Sequence, residues 1–308
     1  MGDLTDRLQT ALGAQYAVEH ELGGAGMSRV FVALDRELGR RVVVKVLPPE
    51  RAARVDMGRF RREIQLAASL QHPHIVPLLT AYRAGDLVYY TMPLIEGETL
   101  RAGLDRQGAL PPADAIRVLR DVVDAISYAH TRGLVHRDIK PDNVLVSGQH
   151  ALVTDFGVAK AVSEAADAPT VTTQAVAVGT PAYMAPEQAM ADPRIDHRAD
   201  IYAVGALAYE LLSGRPPFTG ITTQEVLAAH VQDAPVPLSQ LEPNVPPELA
   251  RLVMRCLEKN PADRWQTAAE LLAELETLTT PGGGIRVRLR LRVPSRRARR
   301  VAVAAGVV

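Results

Sequence analysis

The stretch that decides the fold lies near the middle of the chain and reads His136-Arg137-Asp138-Ile139-Lys140-Pro141-Asp142-Asn143. Ionisable side chains, a proline and an amide are concentrated within these eight positions, and apolar residues flank them on both sides. Charged groups next to buried strands need partners, because burying an isolated charge is costly. A purely structural loop does not require this concentration of charge, so we interpret the stretch as a functional one.

Two further motifs follow it at defined distances. Asp155-Phe156-Gly157 begins twelve residues after Asn143, and Ala185-Pro186-Glu187 begins thirty residues after Asp155. Upstream, a glycine-rich turn at 22–30 separates two strand patterns. Taken alone, the turn is typical of an ordinary hairpin. The order and spacing of the motifs together are much more specific than any one of them.

Hydrophobic periodicity changes along the chain. The first third predicts strands over 16–18, 29–33 and 41–46, a helix over 54–70, and strands over 75–82 and 86–92. After Gly97 the spacing predicts helices over 113–131, 198–213, 222–231, 246–257 and 266–278. A strand-rich part followed by a helix-rich part predicts an α+β protein with two lobes.

These motifs, in this order, resemble the eukaryotic-type (Hanks-type) serine/threonine protein kinases, and among them the bacterial receptor-like kinase group. The resemblance covers residues 16–278. It implies a small β-rich N-lobe with one main helix over 16–95 and a larger, mainly α-helical C-lobe over 96–278. Residues 1–15 are then an N-terminal helical extension, and 279–308 a glycine-rich linker and arginine-rich tail.

The resemblance also implies catalytic roles for four residues. Asp138 accepts or orients the proton of the attacking hydroxyl, and Lys140 stabilises the transferred phosphoryl group. Lys45 binds the α- and β-phosphates, and Glu63 holds Lys45 in place. Without the family, Lys45 and Glu63 are typical of a plain surface salt bridge.

The implied cofactors are ATP and Mg²⁺, with Mn²⁺ as an alternative ion. Asn143 and Asp155 are the expected metal ligands, since Mg²⁺ favours oxygen donors. At the hinge, Pro93 offers a carbonyl and Ile95 an N–H to adenine. The complete set of expected ATP-site residues is Leu22, Gly23, Gly24, Ala25, Gly26, Val30, Val43, Lys45, Met92, Pro93, Ile95 and Leu145.

Supporting and regulatory residues follow from the same resemblance. The expected structural residues are Arg137, Thr180, Glu187, Asp200 and Arg264, with Asp200 bracing the catalytic loop and Glu187 paired with buried Arg264. The expected phosphorylation sites are Thr170, Thr172 and Thr173 in the activation segment, where a phosphate would bind Arg137. The alternative is that this Ala/Thr-rich stretch is a solvated loop.

Three positions depart from the family pattern. Ala25 and Ser28 stand where the second and third glycines of the loop are common, although Gly24 and Gly26 are extra neighbours. Val43 stands where alanine is preferred and narrows the adenine slot. These departures bear on nucleotide affinity and not on the class of reaction.

Lys140, two positions after Asp138, and Gly179-Thr180 favour a serine/threonine protein kinase. One alternative is a weakly catalytic pseudokinase that binds nucleotide and acts as a scaffold, but scaffolds commonly lose Lys45, Asp138, Asn143 or Asp155, and all four are present. A small-molecule kinase is the other alternative.

Composition constrains partners and location. The 308 residues include 35 basic and 35 acidic residues, and the single Cys256 is typical of a reducing compartment and reads as a core residue. All eight arginines beyond residue 280 lie in a segment without acidic residues, which leaves a formal charge of −8 on the first 280 residues. Nucleic acid is therefore not an expected general partner.

The expected partners are proteins with Ser/Thr hydroxyls and a second copy of the chain for trans-autophosphorylation. We expect a cytoplasmic protein whose tail could meet an anionic lipid surface at the inner face of the cell membrane. Eight apolar residues end the tail, too few to span a bilayer, so the chain could be a truncated receptor kinase. The tail could also bind nucleic acid in place of lipid, or be a solvated, disordered segment.

One histidine pattern is interpreted as structural. His72-Pro73-His74 could suggest a metal site, but no cysteine or carboxylate pair lies nearby in the sequence to complete one. We interpret it as a loop before a strand. His136 is likewise interpreted as a packed scaffold residue and not as a proton carrier.

Overall fold

The computed structural model describes residues 4–23, 28–47, 52, 57–156 and 181–278. Within these ranges, a five-stranded antiparallel sheet and two helices form the N-terminal part, and helices packed on a three-stranded sheet form the rest. The predicted α+β fold with a β-rich lobe and a helical lobe is confirmed.

The five strands of the N-lobe follow the β-branched runs of the sequence. They are β1 (Tyr16–Gly23), β2 (Arg29–Asp35), β3 (Arg40–Val46), β4 (Thr80–Ala84) and β5 (Leu87–Pro93). They lie in the order β1-β2-β3-β5-β4, and each neighbouring pair is antiparallel. Short connections join β1 to β2, β2 to β3 and β4 to β5, whereas the chain between β3 and β4 contains the helix at 57–68.

Alternation along β3 divides the lobe into two hydrophobic layers, because successive strand residues face opposite sides of a sheet. Val42, Val44 and Val46 pack on one side against α1 (Leu4–Leu12). Val43 packs on the other side, in a cluster with residues of α2 (Met57–Ala68). The side that carries Val43 also carries Lys45, by the same alternation.

The strand predicted over 75–82 is wrong in its first half, since β4 begins at Thr80. Ile75 instead forms an isolated parallel bridge with Val153. Val153 N donates to His74 O at 2.8 Å, and Val76 N donates to Val153 O at 2.9 Å. These bonds hold the loop against the C-lobe, and Pro77, which has no N–H, ends the pairing.

A small sheet lies where the two lobes meet. Its strands are β6 (Glu98–Thr99), β7 (Val144–Ser147) and β8 (His150–Val153), in that order. Gly97, just before β6, has φ +157°, and a Cβ there would collide with Val146 O. Only glycine fits this close approach of two backbones.

Eight helices of the C-lobe are described. They are α3 (Leu100–Gln107), α4 (Pro112–Thr131), α5 (Pro186–Ala189), α6 (Arg198–Ser213), α7 (Thr223–Gln232), α8 (Leu238–Leu241), α9 (Pro247–Cys256) and α10 (Ala268–Thr277). Helix α6 is buried along nearly its whole length, and α9 crosses it where Gly205 meets Cys256. A Cβ at Gly205 would lie 2.5 Å from the Cβ of Cys256, which is itself fully buried.

Among the residues described, no helix has both the length and the apolar character needed to cross a membrane. The arginine-rich tail predicted over 279–308 lies outside the described residues.

Candidate active site

The register of the N-lobe sheet places Lys45 between Val30 on β2 and Tyr90 on β5. All three side chains therefore share the sheet face that looks toward the C-lobe. Lys45 is 3% exposed, and its Nζ lies 2.5 Å from Oδ2 of Asp155. A buried ammonium and a carboxylate from the other lobe thus neutralise each other.

Asp155 is held through both carboxylate oxygens. Tyr90 donates its hydroxyl to Oδ1 at 3.0 Å, while Lys45 and the Thr154 hydroxyl approach Oδ2. Burial opposes ionisation of Asp155, but the Lys45 charge and these hydrogen bonds outweigh it and hold its pKa below the usual range. Burial and the nearby Asp155 charge raise the pKa of Tyr90, so the phenol stays protonated and donates.

Asp138 lies within residues 136–143, the candidate catalytic stretch. Asn143 donates through Nδ2 to both Asp138 O at 2.8 Å and Asp138 Oδ2 at 2.9 Å. Lys140 Nζ lies 3.2 Å from the same Oδ2. The short 3₁₀ turn at Pro141–Asn143 folds the amide back onto Asp138, so one turn of chain brings three polar groups together.

The backbone before Asp138 is braced by buried Asp200, near the N-terminus of α6. Its Oδ2 accepts from His136 N and His130 Nε2, each at 2.8 Å, and its Oδ1 accepts from Arg137 N at 2.7 Å. Burial opposes its ionisation, but the hydrogen bond and charge of His130 lower its pKa overall. Arg137 has φ +66°, a strained conformation for a non-glycine residue that this bracing maintains.

His136 is fully buried, and both of its ring nitrogens form hydrogen bonds within the protein. It is therefore a scaffold residue. Its Nδ1 accepts from Asp138 N at 3.2 Å, and its Nε2 donates to Thr154 O at 2.8 Å. The ring also meets Phe156 edge-on, with ring centroids 4.6 Å apart. It therefore links the catalytic stretch to the segment that carries Asp155.

The apolar residues expected around adenine come together in one cluster. It includes Leu22 on β1, Val43 and Met92 as direct neighbours on β3 and β5, and Ile95 just after β5. Leu145, from the C-lobe strand β7, joins the same cluster. Val30 on β2 also belongs to it, and Pro93 ends β5 half-buried beside it. Apolar residues from both lobes thus meet in one cluster where adenine is expected to bind.

Glu187 and Arg264 form a bidentate ion pair, with Nη1–Oε1 at 2.7 Å and Nη2–Oε2 at 2.8 Å. Arg264 is fully buried, and its remaining three donors bind backbone carbonyls of Glu258, Lys259 and Arg198. All five N–H groups of the guanidinium are therefore satisfied, which is the condition for burying such a charge at low cost.

Asn143 and Asp155 are suited to a hard divalent cation. They supply an amide and a carboxylate, and the chain segments that carry them adjoin, since Thr154 N donates to Asn143 O at 2.9 Å. Asn143 donates both of its hydrogen bonds to Asp138 through Nδ2. Its carbonyl oxygen, Oδ1, is therefore the atom that would bind a metal ion.

Two features of the site were not anticipated from the sequence. Tyr90 reads as one more apolar strand residue, and only the register reveals its bond to Asp155. Arg101 on α3 binds Glu210 of α6 at 2.9 Å and Tyr183, and lies 3.9 Å from Asp142. No sequence motif marks this second network, which ties the catalytic stretch to the helical core.

Several predicted residues lie outside the described part of the chain. They are Gly24, Ala25, Gly26, Thr170, Thr172, Thr173 and Thr180. Gly23 is described as the last residue of β1, with φ +130°. Glu63 lies half-buried on α2, and its pairing with Lys45 stays a prediction.

Residues 16–275 match the family model described as the protein kinase domain. The chain belongs to the protein kinase family. The resemblance of the sequence motifs to this family is confirmed, and members of the family use ATP with a divalent metal ion.

Curated bacterial kinases are similar over most of this kinase chain. The serine/threonine-protein kinase PknB of Mycobacterium leprae is 41% identical over 270 residues, and that of Mycolicibacterium smegmatis is 40% identical over 270 residues. Each alignment covers 86% of this chain and 43% of the relative. The chain therefore spans less than half the length of the curated relatives it matches.

A solved kinase shares the architecture. The crystal structure of Rad53 1-466 in complex with AMP-PNP superposes with a TM-score of 0.69 at 26% sequence identity. The match covers 84% of this chain and 64% of that one. The similarity spans the two lobes described above.

Proposed function

We propose that this protein is a serine/threonine protein kinase that transfers the γ-phosphoryl group of Mg-ATP to protein hydroxyls. The observation that carries the proposal is the convergence of Asp138, Lys140, Asn143 and Asp155 of the C-lobe with Lys45 of the N-lobe. Phosphoryl transfer needs positioning and charge neutralisation more than covalent chemistry, and these groups supply both.

Each residue has a defined task in the proposed reaction. The Asp138 carboxylate, oriented by Asn143 Nδ2, takes the proton of the attacking hydroxyl. Lys140 Nζ, 3.2 Å from that carboxylate, stabilises the negative charge of the phosphoryl group as it moves. Lys45 binds the α- and β-phosphates. Bound Mg²⁺ supplies charge neutralisation of the phosphates, with Asn143 and Asp155 as the residues that would hold it.

The preference for Ser/Thr hydroxyls rests on Lys140 and on the relatives named above. The alternative is a scaffold that binds nucleotide without turnover. The retention of Lys45, Asp138, Asn143 and Asp155 in one connected arrangement supports the enzyme over the scaffold.

A radiolabelled phosphate-transfer assay tests the proposal. Purified protein is incubated with Mg-ATP and a generic basic protein substrate, and labelled amino acids are identified after hydrolysis. We expect phosphoserine and phosphothreonine, and a rate about 10²–10⁴-fold lower for Asp138→Asn, because a positioned base contributes that much. Lys45→Met should also be inactive. Glu248→Gln, an exposed change on α9, is the matched control and should retain full activity.

Three results would contradict the proposal. Absence of incorporation by wild type, with nucleotide still bound, would favour the scaffold. Label appearing only in a metabolite would favour a small-molecule kinase. Phosphotyrosine alone would contradict the substrate class.

Autophosphorylation of Thr172, Thr173 or Thr170 is part of the same proposal. A phosphate there would add about −1.5 to −2 charges and could bind Arg137. The backbone of Arg137 is already fixed by Asp200 and by Gln188 Nε2, which donates to Arg137 O at 3.0 Å. Intact mass after incubation with Mg-ATP should increase in wild type and not in a variant with all three threonines changed to alanine.

We also propose that the kinase acts in the cytoplasm on protein substrates and pairs transiently with a second copy during trans-autophosphorylation. The buried, reduced Cys256 and the need for Mg-ATP support this location. Association of the arginine-rich tail with anionic lipid at the inner membrane face remains part of the proposal.

A further inference from the structure

Three side chains of the types that commonly bind metal ions come together at the small sheet, from segments far apart in the sequence. His74 lies in the loop between α2 and β4, Asp121 lies on α4, and His150 begins β8. Their candidate ligand atoms all lie within 4.8 Å of one another. Oδ2 of Asp121 is 3.6 Å from Nδ1 of His74 and 3.9 Å from Nδ1 of His150.

We propose that His74, Asp121 and His150 form a binding site for a divalent transition-metal ion of the Zn²⁺ type, separate from the Mg²⁺ position at Asn143 and Asp155. Two imidazole nitrogens and one carboxylate oxygen form a common zinc ligand set, with water in the fourth position. Mg²⁺ prefers oxygen ligands and is disfavoured by this set.

The backbone around the three ligands is already fixed by hydrogen bonds. Val153 N donates to His74 O at 2.8 Å, which holds the loop against β8. Ala151 N donates to Oδ2 of Asp121 at 2.9 Å, which orients the carboxylate toward the strand that carries His150. A site whose backbone is held in place before binding loses little backbone conformational freedom when the ion arrives.

Two small adjustments complete the coordination sphere. Ligand atoms around tetrahedral Zn²⁺ are about 3.3 Å apart, given Zn–ligand distances of about 2.0–2.1 Å. His150 is the mobile ligand, because 71% of its side chain is exposed and its ring can turn inward. His74 Nδ1 donates to Ala151 O at 3.0 Å, so binding through Nδ1 moves the ring proton to Nε2.

The neighbouring His72 belongs to a different set of contacts. Its Nε2 lies 3.4 Å from Oδ2 of Asp124, and its ring packs against Tyr128 with centroids 4.9 Å apart. Its Nδ1 accepts from His74 N at 3.2 Å. The pattern His72-Pro73-His74 therefore contributes one proposed ligand and not two.

The sequence around His72-Pro73-His74 offers no further metal ligands, and in the structure these come from elsewhere in the chain. Asp121 and His150 supply the carboxylate and second imidazole that the residues next to His74 do not. An ion bound by all three would cross-link a loop of the N-lobe to a helix and a hairpin of the C-lobe.

Calorimetric titration of untagged protein with Zn²⁺, in excess Mg²⁺ and without nucleotide, tests the proposal. An untagged chain is needed because a polyhistidine tag would bind the ion. Wild type should bind one Zn²⁺, and Co²⁺ in its place should give the visible absorption of a tetrahedral site. His150→Ala should weaken binding at least tenfold, and so should His74→Ala and Asp121→Asn. His72→Ala and the exposed His20→Ala should bind as wild type does.

The proposal would be overturned if His150→Ala bound Zn²⁺ as tightly as wild type. Because His150 is exposed, this variant keeps its fold, so lost binding there reports the missing ligand. An equal loss in His72→Ala would also overturn the ligand assignment. A higher Tm with Zn²⁺ in wild type that His150→Ala lacks would support the site independently, since an ion that binds the folded state stabilises it.

Discussion

The carboxylate of Asp155 has two competing roles, one in contacts with the N-lobe and one in the proposed binding of a metal ion. Its carboxylate is engaged by Lys45 and Tyr90 from the N-lobe, yet the proposed reaction needs it to hold a metal ion. Its backbone has φ +66°, in the left-handed region that few residues other than glycine adopt, although aspartate tolerates it better than most. The carboxylate direction is therefore set by its partners and its backbone together.

Tyr90→Phe should separate the orienting role of the phenol from its packing. Phenylalanine keeps the ring of this buried residue but removes the donor to Oδ1 of Asp155. Losing a group that orients a metal ligand typically costs about 10–100-fold in affinity or activity. We expect the Mg²⁺ concentration for half-maximal activity to rise about tenfold, while the KM for the protein substrate stays unchanged.

A second readout separates this effect from loss of structure. Binding of a fluorescent ATP analogue should show the same shift in Mg²⁺ dependence, and the variant should unfold only about 1 kcal/mol more easily. An unchanged Mg²⁺ midpoint would show that Tyr90 only packs.

At the scale of elements, α1 is an integral part of the N-lobe. Leu8 and Leu12 pack on the outer face of the sheet, in the same cluster as Phe31 of β2. Gln9 bridges to β1 through its side-chain amide, donating to Tyr16 O at 2.9 Å and accepting from Val18 N at 2.9 Å. The helix therefore covers apolar surface that would otherwise face water.

Leu8→Ala should destabilise the protein by about 2–5 kcal/mol, the usual cost of deleting a fully buried leucine side chain. Urea-induced unfolding followed by circular dichroism measures the change. Leu38→Ala is the control, because this turn residue is 63% exposed and should change stability by less than about 0.5 kcal/mol. Equal effects of the two substitutions would contradict the packing role of α1.

Elements with strong periodicity could be predicted from the sequence, and their partners could not. The helix at 198–213 is observed with the predicted bounds, and the motifs that carry Asp138, Asn143 and Asp155 lie next to one another. The strand predicted at 75–82 was partly wrong because its first residues pair with Val153, far away in the sequence. Tyr90 and His150 carry no local signal, since their partners are defined only by register and by the crossing of segments.

For the whole molecule, the buried titratable groups make stability depend on pH. His230 on α7 is fully buried, forms a 2.8 Å hydrogen bond with Tyr202, and lies close to Lys259, whose Nζ binds His230 O at 2.7 Å. Burial, followed by the charge of Lys259, lowers the pKa of His230 to about 4. Unfolding exposes the ring and returns its pKa to about 6.5.

The folded pKa lies below the unfolded one, so the unfolded state binds the extra proton as pH falls. The contribution of His230 is present above about pH 6.5 and is lost as pH falls toward 4. We expect a loss of about 2 kcal/mol between pH 7 and pH 5 from this residue alone. Urea unfolding at the two pH values should show a smaller loss in His230→Asn, which keeps an acceptor for Tyr202.

His20→Asn is the matched control, because His20 is exposed on β1 and should leave the pH dependence unchanged. The same pH dependence in wild type and in His230→Asn would contradict the assignment.

The small sheet between the lobes has a mechanical consequence. Gly97 delivers the chain to β6 at one edge of this sheet, and residues 74–76 join β8 at the other edge. With three strand spacings between them, these two attachments lie about 14 Å apart. When one lobe is attached to the other at two points, the easiest relative motion is a rotation about the line that joins those points. We therefore expect the cleft to open by rotation about that axis, and His74, which lies beside the axis, should move little.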